Sequence, residues 1–135
     1  MKIIMSAESL SGRKVSDLMS RALVSADPET TVFQIAKIME QSGVGAVLVK
    51  KDGNPAGIIT DRDYAIKIVV KNISADTPVE QVATFPLITI NSDESILAAA
   101  EKMVSNKIRK LAVADNGKVV GIITTTDLIK EISKK

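Results

Sequence analysis

Two patterns of apolar and polar residues alternate along this chain: short β-prone runs and apolar residues at helical spacing. The same order of patterns occurs twice. Short β-prone runs, ALVSA at 22–26 and PLITI at 86–90, are each followed by a polar cluster suited to starting a helix. Apolar residues then recur at helical spacing, at Val32, Ile35, Ala36 and Met39 and again at Ile96, Ala99, Ala100 and Met103. These stripes predict two amphipathic helices whose apolar faces lie in a core.

Each predicted helix is followed by two apolar runs on either side of an Asp-Gly or Asn-Gly pair, at Asp52 and Gly53 and at Asn116 and Gly117. Such pairs favour a two-residue turn, so both regions predict an antiparallel hairpin. After the hairpins the pattern returns to helical spacing. The unit is therefore predicted to run strand, helix, hairpin, helix. Residues 1–14 are a polar lead-in, with a helical turn expected near Val15–Met19.

The sequence aligns with itself without a gap at an offset of 64 residues, which superposes GIITDRD (57–63) on GIITTTD (121–127). The chain is therefore a tandem duplication, with repeats predicted over 10–71 and 72–135. The fold class is α+β, with two β-α-β-β-α repeats packed with pseudo-two-fold symmetry. One repeat alone would be marginal, so two copies are expected to form one folded module.

Composition narrows the class of protein. Of the 135 residues, 45% are hydrophobic but only 2% are aromatic, so the core must be aliphatic. A net charge of +2 and few stacking aromatics disfavour nucleic acid as a partner. There is no run near the ~20 apolar residues of a membrane span and no signal-peptide pattern, so no membrane association and a cytoplasmic location are expected.

The chain contains no cysteine and no histidine. Disulfides, the usual zinc sites, and Ser-His or Cys-His catalysis are therefore not available to it. We expect neither catalytic residues nor a metal site, and no catalytic cofactor. The protein is predicted not to be an enzyme.

Several segments together resemble a known family: DLMS (17–20), GVGAVLV (43–49), NKIRKLAV (106–113) and the paired GIIT-x-x-D motifs. The chain resembles a tandem pair of CBS domains, the cystathionine-β-synthase-type regulatory module, over about residues 10–133. A small departure is Ala83, which stands where the first repeat has Met19.

The resemblance implies an adenosine-nucleotide sensor that binds AMP, ADP, ATP or S-adenosylmethionine in clefts between the repeats. In the family the Thr and Asp of the motif hold the ribose, which implies Thr60 with Asp63 and Thr124 with Asp127. An ionised carboxylate suits this role because it only accepts hydrogen bonds and has room for two vicinal hydroxyls. Thr-x-x-Asp at a helix start is also a capping box, and the two roles are compatible.

The resemblance also places an apolar adenine slot between the first strand and the start of the second. The implied residues are Ala22, Leu23, Val44 and Ala46 at one site, and Pro86, Leu87, Ile108 and Lys110 at the other. For the apolar members of both sets the competing interpretation, plain core packing, is the favoured one. Phosphate candidates are Arg109 and Lys110 in the second repeat, which are alternatively an ordinary exposed basic pair, and more weakly Arg62. Because the first repeat has Gly45 and Ala46 at the aligned positions, unequal affinities are expected.

Two functions remain open. The leading hypothesis is a regulatory module whose ligand changes its contacts with itself, as a homodimer, or with an unidentified regulated protein. The alternative is a structural dimerisation module without ligand. Candidates for a dimer surface are Tyr64, Ile68, Leu128 and Ile132, although burial against their own sheet competes with that role.

Overall fold

A computed structural model of the chain describes residues 12–134 and divides into two compact units. The central unit is Leu23–Leu87, and the terminal unit comprises the described residues 12–22 and 88–134. The boundaries of the units do not coincide with those of the sequence repeats, 10–71 and 72–135. Each contains the strands and helices of one repeat together with the segment that precedes the first strand of the other. We call these two segments the lead-ins, and they comprise the described residues 12–22 in the first repeat and residues 72–87 in the second. Residues 1–11 of the predicted polar lead-in lie outside the described residues.

The predicted order of elements is present in both units. In chain order the elements are α1 (Val15–Leu18), β1 (Ser25–Ala26), α2 (Val32–Ser42), β2 (Ala46–Lys51), β3 (Asn54–Thr60), α3 (Asp61–Asp63), a π-helical stretch (Tyr64–Val69), a 3-10 turn (Val79–Gln81), β4 (Thr89–Asn91), α4 (Ile96–Asn106), β5 (Lys110–Asp115), β6 (Lys118–Thr124) and α5 (Thr125–Ser133). The α+β class is therefore confirmed.

Each unit contains a three-stranded mixed sheet. In the central unit the order is β1-β2-β3, with β1 parallel and β3 antiparallel to β2. In the terminal unit β4, β5 and β6 repeat that arrangement. Both hairpin turns have two central residues at positive φ, as type I′ turns require: Asp52 and Gly53 in one, Asn116 and Gly117 in the other. The two predicted hairpins are confirmed.

The long helices begin where the sequence signals predict. The Thr31 hydroxyl accepts a hydrogen bond from the Gln34 amide (3.1 Å), and the Gln34 side chain accepts one from the Thr31 amide (3.0 Å), forming a capping box at the start of α2. At α4 the Ser95 hydroxyl accepts from the Ala98 amide at 3.1 Å. These contacts satisfy amides that have no partner within the helix.

The core of each unit is aliphatic and includes the predicted helix stripes. In the central unit the buried cluster is Ala26, Val32, Ile35, Val47, Val49, Ile59, Ile68, Val79 and Val82. In the terminal unit it is Val15, Ile90, Ile96, Ala99, Met103, Leu111, Val113, Ile123 and Leu128. Val79 and Val82 come from the lead-in of the second repeat, and Val15 comes from that of the first. Each core therefore depends on a residue from the opposite half of the sequence.

Backbone hydrogen bonds attach the exchanged lead-ins in the same way in both units. In the central unit the Val79 amide donates to the Thr30 carbonyl at 2.7 Å, and the Val32 amide donates to the Thr77 carbonyl at 2.9 Å. In the terminal unit the Val15 amide donates to Glu94 at 2.8 Å, and the Ile96 amide donates to Arg13 at 3.0 Å. The lead-in thus satisfies the first amide of the long helix that it contacts.

Two local predictions differ from the structure. β1 and β4 are shorter than the apolar runs at 22–26 and 86–90. Before β4, Pro86 has no amide to donate and the Leu87 amide donates to the Ala56 carbonyl at 2.8 Å, outside the β4–β5 pairing. The helix after Thr60 becomes π-helical at Tyr64, and the Val70 amide donates to Ala65, five residues earlier. The segment is rich in β-branched residues, which fit the α-helix less well than unbranched ones.

None of the helices within residues 12–134 has the length and apolar character needed to cross a membrane.

Candidate functional site

The two GIIT-x-x-D motifs form strand-to-helix junctions with the same geometry. Thr60 ends β3 and Thr124 ends β6, and each is the residue that caps the following helix. Because the backbone leaves the sheet and turns into a helix at this residue, the acidic side chain three positions later points back to the junction. The motif therefore places a hydroxyl and a carboxylate side by side at the end of a hairpin.

Both carboxylates carry out the capping role that the sequence suggests. The Thr60 amide donates to Asp63 Oδ2 at 2.8 Å and the Thr60 hydroxyl donates to the same oxygen at 3.2 Å. The Thr124 amide and hydroxyl donate to Asp127 Oδ2 at 2.8 and 3.1 Å. In each motif one carboxylate oxygen thus serves the cap, which leaves acceptor positions on the other oxygen.

A lysine distinguishes the first motif. Lys67 Nζ lies 3.3 Å from Asp63 Oδ1 and also donates to the Val82 carbonyl (3.3 Å) and the Thr84 hydroxyl (3.2 Å). Asp63 is 8% exposed, so this ion pair is partly shielded from water. Both oxygens of Asp63 therefore have partners within the central unit.

The second motif has the opposite charge at the aligned position, where Glu131 stands in place of Lys67. Glu131 is paired with Arg13 Nη1 at 2.7 Å and with Lys134 Nζ at 3.4 Å. Asp127 is half-buried rather than buried. Asp127 thus has an acidic residue, Glu131, one turn further along its helix, and the charge of Glu131 is compensated by Arg13 and Lys134.

Tyr64 follows Asp63 and stabilises the first junction. Its hydroxyl donates to the Val32 carbonyl at 2.6 Å, which connects the π-helical stretch to the first residue of α2. Burial, and secondarily the Asp63 carboxylate, raise the pKa of Tyr64 to about 12. The phenol therefore remains a protonated donor at neutral pH.

The starts of β2 and β5 lie directly beside the two motifs. In the central unit Ala46 pairs with Thr60, and the Asp61 amide donates to the Gly45 carbonyl at 3.0 Å. In the terminal unit Lys110 pairs with Thr124, and the Thr125 amide donates to the Arg109 carbonyl at 3.0 Å. Each threonine thus lies beside the start of the neighbouring strand.

The remaining predicted site residues are distributed over both units. Val44 and Ile108 are partly buried and pack against the core of their own unit, and Ala46 is buried. Arg62, Arg109, Ala22 and Pro86 are exposed. Leu23, Pro86 and Leu87 belong to the central unit, whereas Ala22, Ile108, Arg109 and Lys110 belong to the terminal unit. The grouping of these residues into two adenine and phosphate sites stays a prediction.

The residues named as a dimer surface pack mainly within their own units. Ile68 and Leu128 are buried members of the two cores, and Tyr64 packs against the central core. Burial against their own sheet, the competing interpretation, therefore holds for these three. Ile132 is half-buried. The exposed large apolar residues include Ile66, Val69, Val70 and Ile129 instead.

Sequence reasoning missed two features of the motifs. The first is Lys67, although its spacing of four residues from Asp63 is typical of an ion pair on a helix. The second is the packing role of the motif glycines, Gly57 and Gly121. Three acidic side chains grouped to hold a metal ion do not occur in the part of the chain that the structure describes.

The motif glycines are sites of close approach by the lead-in segments. A Cβ atom on Gly57 would lie 2.5 Å from the Phe85 ring and 2.8 Å from the Thr84 carbonyl oxygen. One on Gly121 would lie 2.6 Å from Met19 Sδ and 2.8 Å from the Ser20 carbonyl oxygen. Phe85 thus provides at Gly57 the bulk that Met19 provides at Gly121, which accounts for Ala83 in place of a second methionine.

Comparison with known proteins finds relatives that match most of this chain. The chain is 32% identical over 114 residues to the CBS domain-containing protein YhcV of Bacillus subtilis, with 84% of this chain and 81% of YhcV covered. It is 34% identical over 131 residues to the mitochondrial CBS domain-containing protein CBSX3 of Arabidopsis thaliana, covering 87% of this chain but only 64% of CBSX3. The chain therefore spans less than two thirds of some of its relatives.

Two similar solved structures contain adenosine compounds. A CBS domain protein from Pyrobaculum aerophilum complexed with AMP has a TM-score of 0.77 and 28% identity, over 85% of this chain and 89% of that one. The CBS domain pair of protein MJ0100, in complex with 5'-methylthioadenosine and S-adenosyl-L-methionine, has a TM-score of 0.78 and 28% identity, over 87% and 93% of the two chains.

The family model of the CBS domain matches twice, at residues 15–70 and 70–134. With two tandem matches that together cover nearly its whole length, the chain belongs to the CBS domain family.

Proposed function

We propose that this chain is a regulatory module that binds an adenosine-containing ligand and thereby changes its contacts with a second copy of itself or with a regulated protein. The observation that carries the proposal is the paired junction, in which a threonine hydroxyl and an aspartate carboxylate lie together at each strand end. The AMP and S-adenosylmethionine complexes of similar proteins support adenosine as the ligand class.

The ribose is the part of the ligand that the motifs suit best. In our proposal the two ribose hydroxyls donate hydrogen bonds to one motif, either to Thr60 and Asp63 or to Thr124 and Asp127. The cap engages Oδ2 of each carboxylate and leaves acceptor positions on the same side chain. A hydrogen bond to a charged acceptor contributes about 1.5–3 kcal/mol, so one carboxylate is sufficient to decide the affinity.

The base and phosphates would be bound by neighbouring residues. Adenine requires an apolar slot, for which we propose Ala22, Leu23, Val44 and Ala46 at one site and Pro86, Leu87 and Ile108 at the other. Phosphates require cations, for which we propose Arg109, Lys110 and Arg62. AMP, ADP, ATP and S-adenosylmethionine all contain the adenosine that the ribose and adenine residues suit, whereas only AMP, ADP and ATP have phosphates for the cationic residues.

A calorimetric titration with AMP tests the ribose assignment. We expect the double variant Asp63→Asn/Asp127→Asn to bind AMP at least about tenfold more weakly, because one lost charge-assisted hydrogen bond of about 1.5 kcal/mol corresponds to that factor. Asparagine is the chosen substitution because its amide oxygen still accepts the capping hydrogen bonds.

The matched control is Asp115→Asn, an exposed aspartate at the end of β5 next to the turn, which should leave AMP affinity unchanged. Thermal unfolding of each variant shows whether the fold is retained. Unchanged AMP affinity in the double variant would contradict the assignment of these carboxylates to ribose.

An assembly module without ligand is the second candidate. It is favoured by two observations: both carboxylates serve the caps of their own helices, and Ile66, Val69 and Val70 are exposed on the central unit. A ligand at 100 times its dissociation constant stabilises a protein by about 2.7 kcal/mol. If none of AMP, ADP, ATP and S-adenosylmethionine raised the unfolding temperature, this second function would be preferred.

A further inference from the structure

The two junctions carry opposite charges at the residue four positions after the aspartate. In the central unit this is Lys67, whose ammonium lies 3.3 Å from Asp63 Oδ1. In the terminal unit it is Glu131. Residues four apart lie on the same face of a helix, so this position decides which charge each aspartate meets.

The contacts of Lys67 make Asp63 a poor acceptor for a ligand. Asp63 Oδ2 accepts from the Thr60 amide and hydroxyl, and Oδ1 faces the ammonium. A ribose hydroxyl at Oδ1 would compete with a charged donor for the same lone pairs. The ammonium would then lose its only counter-ion among the described residues while held by just the Val82 carbonyl and the Thr84 hydroxyl. Separating a partly shielded ion pair in this way opposes binding.

The terminal unit has no such competitor at the aligned position. Glu131 cannot donate to Asp127, and its charge is compensated by Arg13 at 2.7 Å and Lys134 at 3.4 Å. Asp127 is also more exposed to solvent than Asp63. Among the described residues the hydrogen bonds of the Asp127 carboxylate are made by Oδ2, so a ribose hydroxyl approaching Oδ1 does not have to break an ion pair like that of Asp63.

We propose that Asp127 is the main ribose acceptor of this protein and that Lys67 is the specificity-determining residue that suppresses the junction at Asp63. This inference rests on the proposed function and deepens it. Asp63 then has mainly a structural role. It caps the start of α3 and pairs with Lys67, which in turn donates to Val82 and Thr84 of the lead-in. The protein is thus a sensor with one strong and one weak adenosine site.

Calorimetry with AMP and with S-adenosylmethionine as separate probes tests the assignment. Asp127→Asn should weaken the tighter binding event at least tenfold, and Asp63→Asn should change it less than threefold. Lys67→Met should strengthen the weaker event at least fivefold or make it visible as a second ligand per chain. Lys67→Arg, which keeps the charge, should leave the weaker event suppressed.

The reciprocal exchange is made at the second junction. Glu131→Lys installs the ammonium beside Asp127 and should weaken the tighter event at least fivefold. Glu131→Gln is its control, because it removes the ion pair with Arg13 without adding a competitor, and it should stay within threefold of the wild type.

The outcomes separate two kinds of failure. If neither probe binds the wild-type chain, the proposed function is contradicted and this inference with it. If a probe binds but Asp63→Asn weakens the tighter event as much as Asp127→Asn does, only the assignment of the strong site is overturned. An unchanged weak event in Lys67→Met would likewise contradict the role of the lysine, and this variant does not disturb either capping carboxylate.

Discussion

Residues of the same type have different surroundings in the two copies of the repeated motif. Thr60 and Thr124 both donate to the aspartate of their own motif, but only the Thr124 hydroxyl also accepts from the aspartate amide, at 3.2 Å. The two carboxylates also differ in burial and in counter-ion. The glycines are alike in a way that the sequence does not reveal, since each lies under a lead-in backbone from outside its own repeat. Identical residues thus acquire their roles from neighbours that are distant in the sequence.

The close contact at Gly121 predicts a large effect of a small change. Gly121→Ala places a Cβ atom 2.6 Å from Met19 Sδ and 2.8 Å from the Ser20 carbonyl oxygen, and overpacking of this kind costs about 1–3 kcal/mol. We expect that loss in the free energy of unfolding, measured by urea denaturation. The double variant Gly121→Ala/Met19→Ala should show coupling but incomplete recovery, because the carbonyl oxygen remains. A single variant as stable as wild type would refute the packing role.

Helices and strands show how far local signals extend. The capping residues Thr31 and Ser95 start α2 and α4, and the two helices have equal length, as their shared apolar spacing predicts. The residue that ends each helix differs, but its backbone conformation is the same. Gly43 (φ 66°) ends α2 and Lys107 (φ 56°) ends α4, and both adopt the left-handed conformation. For a residue with a side chain that conformation is strained, whereas glycine adopts it readily.

The strained end of α4 predicts a stabilising substitution. Lys107→Gly should raise the free energy of unfolding by about 0.5–1 kcal/mol, since the left-handed strain is relieved and only part of the gain is offset by the freer unfolded chain. Gly43→Ala, at the matching end of α2, is the paired control and should lower stability. Urea denaturation of both variants measures the two shifts. A loss of stability in Lys107→Gly would show that the lysine side chain contributes more than its backbone strain costs.

The chain as a whole is organised by the exchange of lead-in segments between the repeats. Val79 and Val82 complete the central core at 0% and 5% exposure, and Val15 lies in the terminal core at 0%. A fragment cut at a repeat boundary therefore contains a lead-in without its partner and a sheet without its lead-in. A fragment cut at the unit boundary avoids both defects.

This organisation predicts which piece folds alone. The fragment 23–87, which is the central unit, should unfold cooperatively, whereas the fragment 12–71, which approximates one repeat, should not, because it lacks Val79 and Val82. Domains of this size are marginal, so loss of two buried valines is decisive. Circular dichroism during urea denaturation distinguishes them. Cooperative unfolding of 12–71 together with a disordered 23–87 would contradict the exchange.

Most elements of this fold were predictable because their signals are local. Apolar runs around the Asp-Gly and Asn-Gly pairs indicated β2, β3, β5 and β6 and the turns between them. Helical spacing of apolar residues indicated α2 and α4. The π-helical stretch at Tyr64–Val69 was not predictable, since its apolar spacing resembles that of a regular helix. In the candidate site, the threonines and aspartates were identified from the motif, but Lys67 was not.

The amino-acid pattern alone was sufficient for the duplication, the order of elements, the capping boxes and the resemblance to the family, because each depends on residues a few positions apart or on matching letters. Which sheet receives each lead-in was decided only in three dimensions. Val15 and Val79 occupy aligned positions in similar surroundings, so no local signal distinguishes packing on the same repeat from packing on the other. The burial of Asp63 and the contacts of Gly57 and Gly121 follow from that choice, since their partners are brought together by the tertiary structure.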